Sequence, residues 1–408
     1  MHTRRVIIFL LTLTLLSCVY VESTTFAASS SYSNDDWPMF HHDLAHTGYS
    51  TSSVPTTTPV VLWTSPKVYG GSPVVANGYV YILDLGNLYC IRASDGHQVW
   101  NQSLPSGLPD SSPAVYGGYV YTPLTAYNAS TGELVLNYTN YQGYSSPTIA
   151  EGIIYFGSYF GKSLFALNAT TGSKIWKFTT GGEVTSSPAV AYGRVYFESW
   201  DGNIYALDAL TGTKIWSYML NEPSGYMDSS PTIVDGHVYI GAHENIYCLD
   251  ALTGNKIWNN SISGVRSSPA VANGYVYVGD DKTYAFNASS GTQVWTATEG
   301  SSFAPAVADG VVYVSDSIRI LAFNASTGTM IWNYTFPQTE NYADSSPAIA
   351  DGVVYAAGGD AIYAFGTSKA IPSSQEPFLS TWVLVVMVVL VVIIVGVGLI
   401  VYFKKCKR

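Results

Sequence analysis

An eleven-residue motif recurs in register along most of this chain, and that recurrence constrains the fold before any single residue does. ALDALTGTKIW from Ala206 has counterparts in CIRASDGHQVW from Cys90, AYNASTGELVL from Ala126, ALNATTGSKIW from Ala166, CLDALTGNKIW from Cys248, AFNASSGTQVW from Ala285 and AFNASTGTMIW from Ala322. A period of about forty residues marks a propeller or a solenoid, in which no single repeat can bury its own faces.

The spacing inside the motif follows from backbone chemistry. Its first part alternates apolar and polar residues at the period of a strand. The third position is always short and polar in six copies: Asp208, Asp250, Asn128, Asn168, Asn287 and Asn324. Such a side chain bonds backbone two residues on and opens a turn. A glycine follows (Gly96, Gly132, Gly172, Gly212, Gly254, Gly291, Gly328) to take the left-handed conformation that the turn needs. The second strand then ends on Trp100, Trp176, Trp216, Trp258, Trp295 or Trp332, with Leu136 the exception. An indole buries a large area, so a ring of them is expected to join neighbouring repeats.

A second element precedes each motif: Ser-Pro, an apolar pair, a glycine turn and a Val-Tyr strand, as in SSPAVAYGRVY from Ser186. Proline is tolerated at the first residue of a strand, and the glycine makes a hairpin. Each repeat is therefore expected to be four short antiparallel strands. The anchors fall at Pro73, Pro113, Pro147, Pro188, Pro231, Pro269, Pro305 and Pro347, which makes eight repeats. The last repeat lacks a glycine turn and a Trp strand, whereas VLWTSP from Val61 has a Trp strand with no repeat before it. The stray N-terminal strand is predicted to complete the last repeat, closing a ring and removing free sheet edges. The fold class is thus all-β: an eight-bladed β-propeller of four-stranded antiparallel blades, followed by one C-terminal transmembrane helix.

The motif Ala-x-Asp-x-x-Thr-Gly-x-x-x-Trp resembles the tryptophan-docking repeat of the pyrroloquinoline quinone (PQQ) dehydrogenases and of the non-enzymatic propellers that share it. The resemblance runs from about Trp63 to Gly366 and implies eight blades around an axis, each docking Trp packed on the next blade. It implies no function by itself. In the dehydrogenases, an adjacent Cys-Cys pair covers the quinone, and acidic and Asn side chains hold a calcium and supply a base. This chain has no adjacent cysteines, and no cofactor residue maps across.

The ends of the chain carry addresses. Residues 1–27 read as a secretory signal, with a basic start and an apolar middle; LLSC ending at Cys18 is a poor lipobox. Residues 28–60 form an N-terminal strap leading into the first strand of the 61–366 propeller. His41, His42, Asp43 and His46 in the strap have metal-ligand chemistry if a helix aligns them, but Trp-Pro-x-Phe before them favours a structural strap. A Ser/Pro linker at 367–378 precedes an apolar run at 379–403, long enough to span a bilayer, and a basic tail at 404–408. Basic residues stay cytoplasmic. The expected topology is single-pass in the plasma membrane, with the propeller outside.

Composition fits a secreted body: 11% of residues are charged, and the net charge of −10 leaves no basic footprint for nucleic acid. Cys90 and Cys248 occupy a slot filled elsewhere by alanine, where a buried thiol behaves as a small apolar group. Sequons occur at Asn101, Asn137, Asn259 and Asn333, just after the docking position on the outermost strand, and at Asn128, Asn168, Asn287 and Asn324. The last four sit at the turn position, where turn chemistry explains an asparagine as well as glycosylation does.

No nucleophile elbow, His-Glu-x-x-His, P-loop or CxxC is present. The variable parts are the connections between blades, where binding residues concentrate. Asp110, Asp228 and Asp344 each precede Ser-Ser-Pro, Tyr144, Tyr226 and Tyr342 share those linkers, and Trp200 lies in a Trp-Asp-Gly-Asn turn. Strand alternation puts all seven on one face, opposite the Asx turns. Aromatics beside carboxylates suit sugar or peptide. Two functions follow: a non-catalytic cell-surface module that binds protein or glycan with no cofactor, or a surface oxidoreductase using PQQ and calcium.

Overall fold

In the computed structural model, the described residues are 35–367 apart from 67, 69, 85, 105–110, 221–228, 317 and 338–344. The signal, the linker, the 379–403 run and the basic tail lie outside them, and no helix among the described residues is long and apolar enough to cross a membrane. Eight sheets follow one another along the chain, at 74–103, 114–137, 148–179, 189–219, 232–265, 270–296, 306–335 and 348–366. Blade 4 is representative, with strands Ala189–Ala191, Arg194–Ser199, Asn203–Asp208 and Lys214–Met219 running antiparallel from axis to rim.

The ring closes as the strand count requires. Val60–Thr64 is the outer strand of blade 8, antiparallel to Ala361–Gly366, with Val60 opposite Gly366 and Thr64 opposite Tyr363. One blade departs from the expected pattern. In blade 5 the two middle strands merge into a single bent strand, His237–Asp250, so that sheet has three strands.

The seams between blades use more than the indole. Trp216 of blade 4 donates its Nε1–H to the Ala251 carbonyl of blade 5 at 3.1 Å, and the Tyr196 hydroxyl donates to the same oxygen at 3.1 Å. The same pairing recurs for Trp100 and Tyr81 on Ala129, Trp176 and Tyr155 on Ala209, Trp258 and Tyr239 on Ala288, and Trp295 and Tyr277 on Ala325. The glycine of the receiving turn serves twice. At Gly254, φ is +74°, and a Cβ there would stand 2.7 Å from the Trp216 ring, so a side chain is refused by the backbone and by the indole together. Cys90 and Cys248 lie buried in these seams, and burial pushes their thiols up to about 12.

The strap does not merely lead into the ring. It winds around the inside of the axial channel in blade order, pairing with the free edges of the innermost strands. Trp37 exchanges two 2.8 Å backbone hydrogen bonds with Val75 of blade 1, and the carbonyls of Pro38, Leu44, Ala45, Thr47 and Gly48 accept from Val115, Val190, Ile233, Val271 and Val307. Tyr49–Ser50 then adds to blade 7 as a parallel fifth strand. Inner edges that would otherwise face a water-filled hole are thereby paired.

Candidate binding face

The strap histidines are structural. No helix forms there. His41 is buried with Nδ1 2.8 Å from the His46 carbonyl and Nε2 3.0 Å from the Pro305 carbonyl, while His46 Nε2 lies 3.2 Å from Thr148 Oγ1. Burial lowers the His41 pKa to about 4 and that of His46 to about 3. Asp43 caps the turn through the Ala45 and Thr47 amides, and no group of three metal-ligating side chains exists among the described residues. The backbone follows a series of tight turns here, with positive φ at His41, His42 and His46, so the four-residue spacing never becomes a shared helical face.

Above the strap, on the side bearing the blade-to-blade linkers, a funnel of about 420 Å³ opens along the axis. Phe40 of the strap forms part of its lining, with Tyr144, Thr185, Arg266, Phe303 and a circle of serines. The second serine of each Ser-Ser-Pro links neighbours: Ser112 N–H donates to Ser146 Oγ, Ser146 to Ser187, Ser187 to Ser230, Ser230 to Ser268 and Ser346 to Ser72, at 2.8–3.2 Å. Each accepting hydroxyl keeps its own proton to donate. Ser111 Oγ, buried in the wall, has no partner among the described residues. The recurrence of serine before proline was the available signal for this belt.

Of the seven linker-face residues, the structure describes Tyr144 and Trp200; Asp110, Tyr226, Asp228, Tyr342 and Asp344 lie outside the described residues. Tyr144 and Trp200 are brought together by a residue that spacing did not single out. Tyr159, in the middle turn of blade 3, has its ring 5.3 Å from Tyr144 and 5.5 Å from Trp200, and it touches Phe160 at 5.2 Å. Trp200 is steadied by its Nε1–H bond to Thr185 Oγ1 at 2.9 Å. Phe160 stands 76% exposed, the most exposed large apolar side chain described. An aromatic path therefore runs from the funnel wall outward across blades 3 and 4. Its sequence signal was the aromatic pair inside a turn, Tyr159-Phe160-Gly161, one repeat before Trp200 at the same turn.

On the opposite face, Asn128, Asn168, Asn287 and Asn324 each accept backbone N–H bonds from the residues two and three on, at 2.9–3.1 Å. Their Oδ1 atoms are engaged in the turn, as are those of Asp208 and Asp250, whose carboxyls are held below the usual range by the Thr211 and Thr253 hydroxyls. Asn101, Asn137, Asn259 and Asn333 are exposed on the outer strands of blades 1, 2, 5 and 7.

Fold and seams together define an eight-bladed propeller locked by tryptophan docking. A family model described as outer membrane protein assembly factor BamB, of the PQQ-like repeat type, matches residues 52–123, 109–295 and 280–370. The chain belongs to that PQQ-like repeat family. Among solved structures, the quinohemoprotein alcohol dehydrogenase of Comamonas testosteroni is similar with a TM-score of 0.69 and 15% identity, over 84% of this chain and 82% of that one. BamB from Moraxella catarrhalis is similar at 0.59 and 17%, over 77% of this chain and 99% of that one. The computationally designed Ika8 protein is similar at 0.63 and 13%, over 75% and 99%. At such identities the likeness is one of fold alone, shared by an enzyme, an assembly factor and a design. No curated protein sequence matches the chain.

Proposed function

We propose that this propeller is a non-catalytic binding module for protein or glycan, presented outside the cell and tethered by the 379–403 run. The observation that carries this reading is the aromatic path Tyr144, Tyr159, Trp200 and exposed Phe160 beside the funnel. Flat aromatic faces next to hydroxyls suit a sugar ring or an aromatic-rich peptide, because stacking supplies area at a small entropic cost. Glycans on the sequons, where added, would stand on the outer rim and the Asx-turn face and leave the linker face open.

The oxidoreductase alternative asks the funnel to hold PQQ and calcium. Calcium takes carboxylate and carbonyl oxygens, and no Asp or Glu is among the described residues lining the funnel. Cys90 and Cys248 are buried in separate seams. Nothing among the described lining supports that group, and no step is assigned to it.

The test is Trp200→Ala combined with Phe160→Ala in the full chain, probed on a glycan array and by cross-linking to cell-surface proteins. Binding is expected to fall at least ten-fold with the melting temperature unchanged. Retained binding, lost instead on altering the Asx-turn face, would overturn the assignment.

A further inference from the structure

We propose that the outer edge of blades 3 and 4 takes an extended, acidic strand from a protein partner. Each blade ends in a strand with one unpaired edge. In blade 3 that strand is Lys174–Thr179, and in blade 4 it is Lys214–Met219. Thr180 N–H donates inward to the Lys162 carbonyl and Leu220 N–H to the Gly202 carbonyl, both at 2.9 Å. By the alternation of an antiparallel ladder, the backbone groups of Lys177 and Thr179, and of Ser217 and Met219, point away from the sheet. They offer a ladder to an incoming strand.

One feature sets these edges apart from the other six, and a second, shared with other blades, adds to it. First, the described outer strands contain four lysines in all, and Lys174, Lys177 and Lys214 are three of them, with no acidic residue on either strand. On a chain of net charge −10 this is a local reversal of sign. Lys162 adds to it, though it is shared with Glu183 at 3.4 Å. Second, as on the outer strands of most blades, apolar side chains stand exposed beside the charges: Ile175 is 44% exposed, Ile215 43% and Met219 55%. The sequons after the docking position fall on blades 1, 2, 5 and 7, whereas blades 3 and 4 carry Lys177 and Ser217 there. These two adjacent blades are also the ones that carry Phe160 and Trp200.

Lysines on an edge strand oppose pairing between two copies, because like charges would face each other. The same lysines favour a strand that alternates carboxylates with apolar residues. The occupant is therefore heterologous, and its chemistry is acidic and β-branched.

This surface rests on the binding-module reading but not on the linker face, and the variants separate the two. The full chain is titrated with fluorescent peptides of alternating Glu and Val, and of alternating Lys and Val. The acidic peptide is expected to bind at least ten-fold more tightly. The triple change K174E, K177E and K214E is expected to invert that preference. Thr179→Pro with Ser217→Pro removes two outward N–H donors and is expected to abolish binding while the melting temperature holds. Trp200→Ala is expected to leave it intact. Equal binding of both peptides, indifference to charge reversal, or loss on Trp200→Ala would overturn the proposal, as would a dimer of the full chain that the triple change dissolves.

Discussion

The seam between blades 4 and 5 and the seam between blades 2 and 3 are built at the same places in the repeat, yet they hold together differently. In the first, the Trp216 indole lies against Gly254 and shares the Ala251 carbonyl with Tyr196. In the second, Leu136 stands in the indole's place, and a Cβ at Gly172 would find its nearest atoms at 3.9 Å, on Tyr138. Tyr138 fills the remaining space: its ring stacks on Phe156 at 5.9 Å, and its hydroxyl donates back to Thr122 O at 2.7 Å, within its own blade. The Tyr121 hydroxyl still reaches Ala169 O at 3.2 Å. The seam from blade 7 to blade 8 is a third solution. Blade 8 has no glycine turn, so Trp332 Nε1 is buried without a partner, and the Tyr313 hydroxyl turns to the strap's Pro55 carbonyl at 3.1 Å. An aromatic cluster of Trp332, Tyr334, Phe336, Tyr363 and Phe365 replaces the hydrogen bond. What the seams share is buried aromatic area; the shared carbonyl fixes register where a turn is available to provide it.

The largest break in this comparison is removal of the strap and closing strand together. Deleting residues 28–66 strips blade 8 of its outer strand, removes Trp63 from its bond to Ala93 O, and uncovers the inner edges of six blades. The expected outcome is aggregation on purification, seen by light scattering. A monomer melting at the parent's temperature would refute closure by the strap.

Acid should distinguish strap from seams. His41 and His46 have folded pKa values below their unfolded value of 6.5, so the unfolded chain binds more protons below that pH. The stability they leave intact at pH 8 is lost as pH falls through 6.5 toward 4, by about 2 kcal/mol for each histidine at pH 5. Denaturant titrations at pH 8 and pH 5 measure it, and His41→Gln with His46→Gln should flatten the difference. A pH dependence that survives the double substitution would place its origin elsewhere.

The seams themselves are compared by two glycines. Gly254→Ala meets both a positive φ and the indole, whereas Gly172→Ala meets a φ of +68° with space around it. Costs of about 1–2 kcal/mol are expected from backbone strain at each, with about 1–3 kcal/mol more at Gly254 from overpacking. Equal losses in urea melts would mean that the indole yields.

The smallest difference separates two tryptophans. Trp216→Phe should cost about 1 kcal/mol beyond the lost area, because it removes a hydrogen bond, while Trp332→Phe discards a buried donor that had no partner. Thermal scans of the two variants are expected to place the Trp332 change nearer the parent.

Much of the ring was legible because its contacts repeat. The Asx-x-x-Thr-Gly turn, the docking Trp, the eight Ser-Pro anchors and the incomplete last repeat follow from residues a fixed distance apart, and a fixed distance is what a period reports. Even the opposite placement of linkers and Asx turns came from counting strands. The seam tyrosines and the serine belt were visible as repeats but not as bonds, since their acceptors lie in the next blade, about forty residues along.

The sequence by itself determined the blade, the number of blades and the closing strand. Tertiary structure decided what the unrepeated residues do. The strap's course inside the channel depends on inner edges that exist once the ring is shut, and so the His41 and His46 environments could not be read from their spacing. Tyr159 joins Tyr144 to Trp200 because adjacent blades bring two turns and a linker within ring contact. The lysine-bearing edges of blades 3 and 4 stand on adjacent blades for the same reason: repetition sets where each blade stands, and closure of the ring sets which of its exceptions become neighbours.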